Sequence, residues 1–142
     1  MMLLISCNSQ KVKELNIVLM SGTEKFDYTN QFYVRKYLNH TDSVFVDLSL
    51  KEKNKISSLY NKYDISDFQE NYNPKPKNVE IPSIPIEILI NGHIKIKIED
   101  GDYSYINFLK VKKINSFYKE IIEMIRKKDN VKKLKPSDII FL

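Results

Sequence analysis

Alternating apolar and polar residues dominate the first third of the chain, a pattern typical of strands with one buried face. Residues 12–20 predict a first strand, and Ser21-Gly22-Thr23 predicts a turn after it. Residues 26–37 alternate well, which predicts one continuous strand. The side facing the core would carry Phe26, Tyr28, Phe32 and Val34, and the opposite side Asp27, Thr29, Gln31, Tyr33, Arg35 and Tyr37.

Two segments show the residue spacing of amphipathic helices. Ser49 precedes Glu52 in a capping-box pattern, in which each side chain satisfies a free backbone N–H group of the other residue. Apolar residues recur at 56, 59, 60 and 63, so the first helix is predicted over residues 50–63. A second helix is predicted over residues 113–128. It ends in basic residues, and cations at the C-terminus of a helix interact favourably with the helix dipole. Its apolar stripe consists of Ile114, Phe117, Ile121, Ile122 and Ile125.

Isoleucines alternate on both sides of Asn91-Gly92, which predicts a β-hairpin. A two-residue turn would set every isoleucine opposite a polar residue. A three-residue loop over residues 90–92, with Gly92 in the left-handed bulge position, avoids this and is favoured by packing. The expected pairs are Ile88 with Ile94, Ile86 with Ile96, Ile84 with Ile98, and Glu87 with Lys95 on the other face.

The last third predicts a turn at Asp100-Gly101, a strand over residues 103–109, the second helix and a short final strand over residues 134–142. The predicted order is therefore strand-strand-strand-helix, repeated twice. We expect an α+β fold in which an antiparallel sheet carries both helices on one face. The proline-containing loop over residues 71–85 leaves neither side enough residues for a separate core, so residues 12–142 are expected to form a single domain.

The charge balance is basic, but it says little about nucleic acid. Lys and Arg total 23 against 18 acidic residues in a chain of 142, a net charge of +5. Only Arg35 and Arg126 are arginines. Lysine is a point charge rather than a planar fork, so it is poorly suited to bidentate recognition of bases and phosphates. We therefore do not expect nucleic acid to be the partner.

No arrangement of residues predicts catalysis. The acidic run over residues 99–102 lacks the spaced ligands of a calcium loop, and the two histidines, His40 and His93, have no neighbours at metal-ligand or acid–base spacing. The three glycines form no phosphate-binding loop, and Cys7 has no evident histidine partner. We expect a protein that is not an enzyme and that holds neither cofactor nor metal.

The predicted outer face of the sheet is the strongest candidate for binding. Tyrosine and arginine are the residues that most often anchor protein interfaces. An ordinary solvated face is the simplest alternative, and stacking of single-stranded bases is a further one. The residues predicted to bind another protein are Tyr33, Arg35, Tyr37, Lys95, Lys97, Tyr103 and Tyr105.

The only cysteine follows an apolar start, in the sequence Leu4-Ile5-Ser6-Cys7. This resembles the lipobox of small bacterial envelope lipoproteins, with an aliphatic residue three positions before the cysteine and a small residue just before it. The resemblance implies cleavage before Cys7 and acylation of that residue, and two acyl chains suffice for stable anchoring. Residues 1–6 would be a truncated signal-peptide remnant or, alternatively, an edge strand, and residues 7–11 a tether.

These observations together predict a non-catalytic, lipid-anchored protein of the bacterial cell envelope that binds another protein. Small lipid-anchored inhibitors that neutralise an incoming toxin, the immunity-type proteins, are similar in size and build. The alternatives are a basic cytoplasmic protein that binds nucleic acid and a domain with a purely structural role. The identity of the partner does not follow from the sequence.

Overall fold

A computed structural model describes residues 15–78 and 85–140. Six strands form one sheet in the order β4-β3-β2-β1-β5-β6, and all neighbouring strands are antiparallel. The α+β prediction is confirmed. The segments predicted at residues 1–6 and 7–11, together with Cys7 and Ile84, lie outside the described residues. The elements are β1 (Ile17–Met20), β2 (Glu24–Asp27), β3 (Phe32–Lys36), β4 (Thr41–Phe45), α1 (Leu50–Lys62), a short 3-10 helix (Ile65–Asp67), β5 (Ile86–Ile90), β6 (His93–Ile98), α2 (Tyr105–Arg126) and α3 (Asp129–Lys132).

The core lies between one face of the sheet and the two long helices. Residues opposite each other in neighbouring strands share a face, so the register defines a row that crosses the whole sheet. The apolar stripe predicted for the second helix packs onto this row, which confirms that stripe as the buried side of α2. The row consists of Val44, Tyr33, Phe26, Leu19, Ile88 and Ile96.

The first helix forms as the sequence predicts. Ser49 accepts a hydrogen bond from the backbone N–H of Glu52, and the Glu52 carboxylate accepts one from the backbone N–H of Ser49. Lys128 lies 2.7 Å from the same carboxylate, and this hydrogen bond holds the pKa of Glu52 below its ordinary value. The capping box therefore also connects the start of α1 to the segment after α2.

The continuous strand predicted over residues 26–37 is wrong, because a turn divides it into β2 and β3. The Asp27 carboxylate accepts a hydrogen bond from the backbone N–H of Asn30, and Gln31 adopts a left-handed conformation with φ 56°. Both features are typical of turns. The hairpin then pairs Phe26 with Tyr33, so the odd-numbered residues after the turn face the core. The predicted faces of residues 32–37 are therefore inverted.

The hairpin of β5 and β6 has a two-residue turn, and yet its isoleucines pair with each other, as was expected only of a three-residue loop. Its turn has two residues, Asn91 and Gly92, with φ 51° and 82°, and Ile90 pairs with His93. The expected three-residue loop is therefore wrong. A bulge at Lys95 shifts the register by one residue, so isoleucines still meet isoleucines across the strands. The resulting pairs are Ile88 with Ile96, Ile86 with Ile98, and Glu87 with Lys97.

The strand predicted over residues 103–109 is also wrong, since α2 already begins at Tyr105. Within the described residues, four strands precede the first long helix and two precede the second, rather than three and three. The tail forms no strand as far as residue 140. It is nevertheless bound to the β3–β4 hairpin, since Leu38 N–H donates to Asp138 and the Ser137 hydroxyl donates to the Lys36 carbonyl.

Candidate docking surface

The predicted outer-face residues do not form one surface. Tyr33 is 0% exposed, and Tyr37 and Lys95 are each 8% exposed, so the outward orientation predicted for these three is wrong. Tyr33 faces the helices because of the turn at residues 28–31, and the bulge places Lys95 against Glu70, 2.9 Å away. Arg35 is half-buried on the face that carries Tyr33.

The other three predicted residues lie in different surroundings. Lys97 is partly buried and pairs with Glu87 at 3.3 Å. Tyr103 precedes α2, where its hydroxyl donates to the Glu99 carbonyl, and burial raises the pKa of Tyr103. Tyr105 is strongly exposed, but it is the first residue of a helix rather than part of a strand. Of the predicted set, only Tyr105 belongs to the surface described below.

One buried carboxylate, Glu24, is 3% exposed, and it binds Arg126 directly and Arg35 through the Tyr33 hydroxyl. Arg126 donates to both carboxylate oxygens, and the Tyr33 hydroxyl donates to one of them at 2.5 Å. Arg35 in turn donates to the Tyr33 hydroxyl and to the carbonyls of residues 134 and 135. Burial first, and then the charge of Glu24, raise the pKa of Tyr118 far above its ordinary value. This cluster connects β2, β3, α2 and the tail, and its hydrogen bonds satisfy the Glu24 carboxylate.

The first turns of α2 carry the largest group of exposed apolar side chains in the described chain. Tyr105, Ile106, Phe108 and Leu109 are 77%, 69%, 51% and 46% exposed. We call these four residues the α2 apolar surface. Successive helical residues are about 100° apart, so Tyr105 and Leu109 lie opposite the buried stripe and the other two lie on its flanks. Asn107 instead faces inward and accepts a hydrogen bond from the Tyr72 hydroxyl at 3.1 Å.

Lysines lie around the α2 apolar surface. Lys113 is bound to Asp64 at 2.7 Å, whereas the Lys110 ammonium lies 5.6 Å from the centre of the Tyr72 ring. Among the residues that the structure describes, no carboxylate lies within 4.0 Å of Lys110 or Lys112. Within the described part of the chain, these two cations therefore form no ion pair.

A groove of about 580 Å³ borders this surface on the side of the 3-10 helix. Its apolar wall combines Ile106 and Leu109 with Phe68 and Tyr72, whose rings lie 5.1 Å apart. Tyr72 is fixed to the sheet, since its N–H donates to the Lys95 carbonyl and its carbonyl accepts from Lys97 N–H. Burial raises the pKa of Tyr72. One wall of the groove is thus hydrogen-bonded to the sheet, and the rim carries Asp64, Asp67, Lys110 and Lys113.

The two histidines and the acidic run at residues 99–102, all within the described residues, lie in separate places. His40 stacks on Tyr37 with ring centres 4.4 Å apart, and His93 is exposed at the start of β6. The acidic run at residues 99–102 connects β6 to α2, and a Cβ at Gly101 would lie 2.5 Å from Pro76. Within residues 15–78 and 85–140, no three His, Cys, Asp or Glu residues are placed to hold a metal ion.

Sequence reasoning could have found the α2 apolar surface. A helix over residues 105–126 needs only one apolar stripe, and residues 111–125 supply it. The four apolar residues before residue 111 are not needed for that stripe. Apolar residues beyond those that a helix needs for its buried face are typical of a binding surface. The α2 apolar surface was missed because residues 103–109 were predicted to form a strand. Aromatic and β-branched residues, which this segment contains, are also common in strands.

None of the described helices is both long enough and apolar enough to cross a membrane. Comparison of the chain with models of protein families, with curated proteins and with solved structures finds no match.

Proposed function

We propose that the protein is a non-catalytic binding module that docks an acidic protein through the α2 apolar surface. The observation that carries this proposal is the exposure of four large apolar side chains within five consecutive residues of α2. Removing one such side chain from water contributes about 1.5–3 kcal/mol, so a partner that covers several gains substantial affinity. The apolar centre with a charged margin is the usual anatomy of a protein interface.

The charges favour an acidic partner. Lys110 and Lys112 lie at the margin of the surface without a carboxylate among the described residues, and a carboxylate on the partner would complement them. A nucleic acid fits less well. Asp64 and Asp67 lie at the groove beside Lys110, where they would repel a phosphate backbone, which carries a negative charge at every nucleotide.

We further propose that Cys7 anchors this module to the bacterial cell envelope. The support is the lipobox-like sequence Leu4-Ile5-Ser6-Cys7. Cys7 also lies only a few residues before the described part of the chain. Leu15, the first described residue, lies eight positions after Cys7, and a chain segment of that length spans at most about 28 Å. Within this proposal, an immunity-type inhibitor of a toxin is the form that small size and lipid anchoring favour.

The docking proposal is tested with the double variant Ile106→Ser, Leu109→Ser. We expect affinity for the partner to fall by about 30-fold, since burying the exposed parts of the two side chains contributes about 2 kcal/mol. Immobilised wild-type protein captures the partner from cells of the source, mass spectrometry identifies it, and calorimetry measures both dissociation constants. Lys112→Glu is expected to weaken binding as well, and more so at low salt.

The matched control is Leu38→Ser, Leu50→Ser, which removes apolar side chains that are 68% and 66% exposed elsewhere on the molecule. This control should bind as the wild type does. Equal binding by the α2 double variant and the control, or a partner whose contact surface is basic, would refute the proposal.

The anchor is tested separately by growth of a bacterial host with labelled palmitate. Expression from the native upstream region should give a labelled protein, and Cys7→Ala should abolish the label. An unlabelled wild-type protein whose mass shows that Met1 is intact would refute the anchor proposal. The docking proposal would be unaffected by this result.

A further inference from the structure

The two edges of the sheet differ in how they are protected. At β6, the N–H and carbonyl groups of Tyr72 bind Lys95 and Lys97, and the bulge at Lys95 distorts the strand. Bulges, lysines and covering segments are the features that keep a sheet edge from pairing with another chain. The β4 edge has no bulge, no lysine and no proline among residues 41–45.

The hydrogen-bonding groups that β4 leaves open follow from its register. Val46 N–H donates to the Gln31 carbonyl and Tyr37 N–H to that of His40, so the even-numbered residues pair with β3. The N–H and carbonyl groups of Thr41, Ser43 and Phe45 therefore point away from the sheet. Among the described residues, Asn130 alone reaches them, by donating to the Phe45 carbonyl.

Apolar side chains lie beside this open edge. Phe32 and Phe45 meet edge to face on the outer side of the sheet with ring centres 5.9 Å apart, and each is about half exposed. Thr41 and Ser43 share that side of β4 and are also exposed. A strand added at this edge would therefore gain both backbone hydrogen bonds and contact with Phe45.

We infer that a second copy of this chain occupies the β4 edge, through antiparallel pairing of β4 with β4 about a two-fold axis at Ser43. This inference is independent of the proposed docking function. Antiparallel pairing of a strand with itself is isologous, so each copy supplies the same groups. The two Ser43 residues exchange both N–H···O bonds, and Phe45 N–H of each copy donates to the Thr41 carbonyl of the other.

The charges of β4 permit this register. Asp42 is the only charged residue of the strand, and the two-fold axis places it opposite Val44 of the second copy, so like charges do not meet. A five-residue strand and Phe45 bury less than the roughly 800 Å² per partner of a standard interface. We therefore expect a reversible dimer, with a dissociation constant on the order of micromolar.

The test is sedimentation equilibrium of the full chain from about 1 to 500 μM, a range that brackets a micromolar dimer. The wild type should shift from monomer to dimer with concentration. Ser43→Lys and Ser43→Glu should each remain monomeric, since like charges face each other across the axis, and an equimolar mixture of the two should dimerise. Ser66→Lys, the same change at another exposed serine, should dimerise as the wild type does.

Either of two results would overturn the inference. One is a wild type that stays monomeric throughout the range. The other is a Ser43→Lys variant that dimerises as strongly as Ser66→Lys. Because α2 and β4 are distinct surfaces, loss of dimerisation in Ser43→Lys with partner binding intact separates this result from failure of the docking proposal.

Discussion

Tyr33→Ala is expected to destabilise the fold by about 4 kcal/mol, because it removes a large aromatic side chain from the core and leaves a cavity. Tyr33 is fully buried, and its hydroxyl binds the Glu24 carboxylate. The substitution therefore also removes one hydrogen bond from a buried charge. Since small domains are stable by only about 5–15 kcal/mol, this loss is a large share of the total.

The neighbouring residue provides the control. Phe32 is a similar aromatic on the opposite face of β3, and it is about half exposed. Phe32→Ala should therefore cost less than about 1.5 kcal/mol. Urea unfolding followed by circular dichroism measures both variants. If Phe32→Ala were the more costly change, residues 26–37 would have the faces of one continuous strand, and the turn at residues 28–31 would be refuted.

Arg126→Met is expected to cost about 3 kcal/mol, since it leaves the Glu24 carboxylate buried without its cation. The Arg126 side chain is itself half exposed, so water can approach from that side, and we place the cost at the lower end of the range for broken buried pairs. The two tyrosine hydroxyls that contact Glu24 do not replace a positive charge.

Lys127→Met makes the same change of charge one residue later, at an exposed position, and should cost less than about 0.5 kcal/mol. The double variant Glu24→Gln, Arg126→Met should be more stable than Arg126→Met alone, because a neutral amide is cheaper to bury than a carboxylate. Urea unfolding at pH 7 measures all three. A double variant less stable than the single one would show that the charge of Glu24 is not the source of the cost.

Local patterns predicted the elements whose physics is local. The capping box of Ser49 and Glu52 and the stripe of α2 depend on residues three or four positions apart, and both formed as expected. The isoleucines of β5 and β6 do meet, as packing requires, although a bulge at Lys95 rather than a longer loop brings them together. The need to pack isoleucines against each other predicted that they pair, but it did not predict whether a loop or a bulge brings them together.

The largest failure arose where a short turn changes which residues of a strand face the core. Alternation over residues 26–37 looks the same with or without a turn inside it, and only Asp27 and Asn30 indicate the break. That one turn moved Tyr33 and Tyr37 from the predicted surface into the core. The proposed docking surface instead consists of exposed apolar residues at the start of α2, in a segment predicted to be a strand.

The pairing of Glu24 with Arg126 also bears on how the chain folds as it is synthesised. The two residues are 102 positions apart, so β2 leaves the ribosome long before the end of α2 exists. Until then, closing the core over Glu24 would bury a carboxylate without its cation, at a cost of several kcal/mol. We therefore expect the N-terminal sheet to stay open during translation, and the fold to be completed only after residue 126 has emerged.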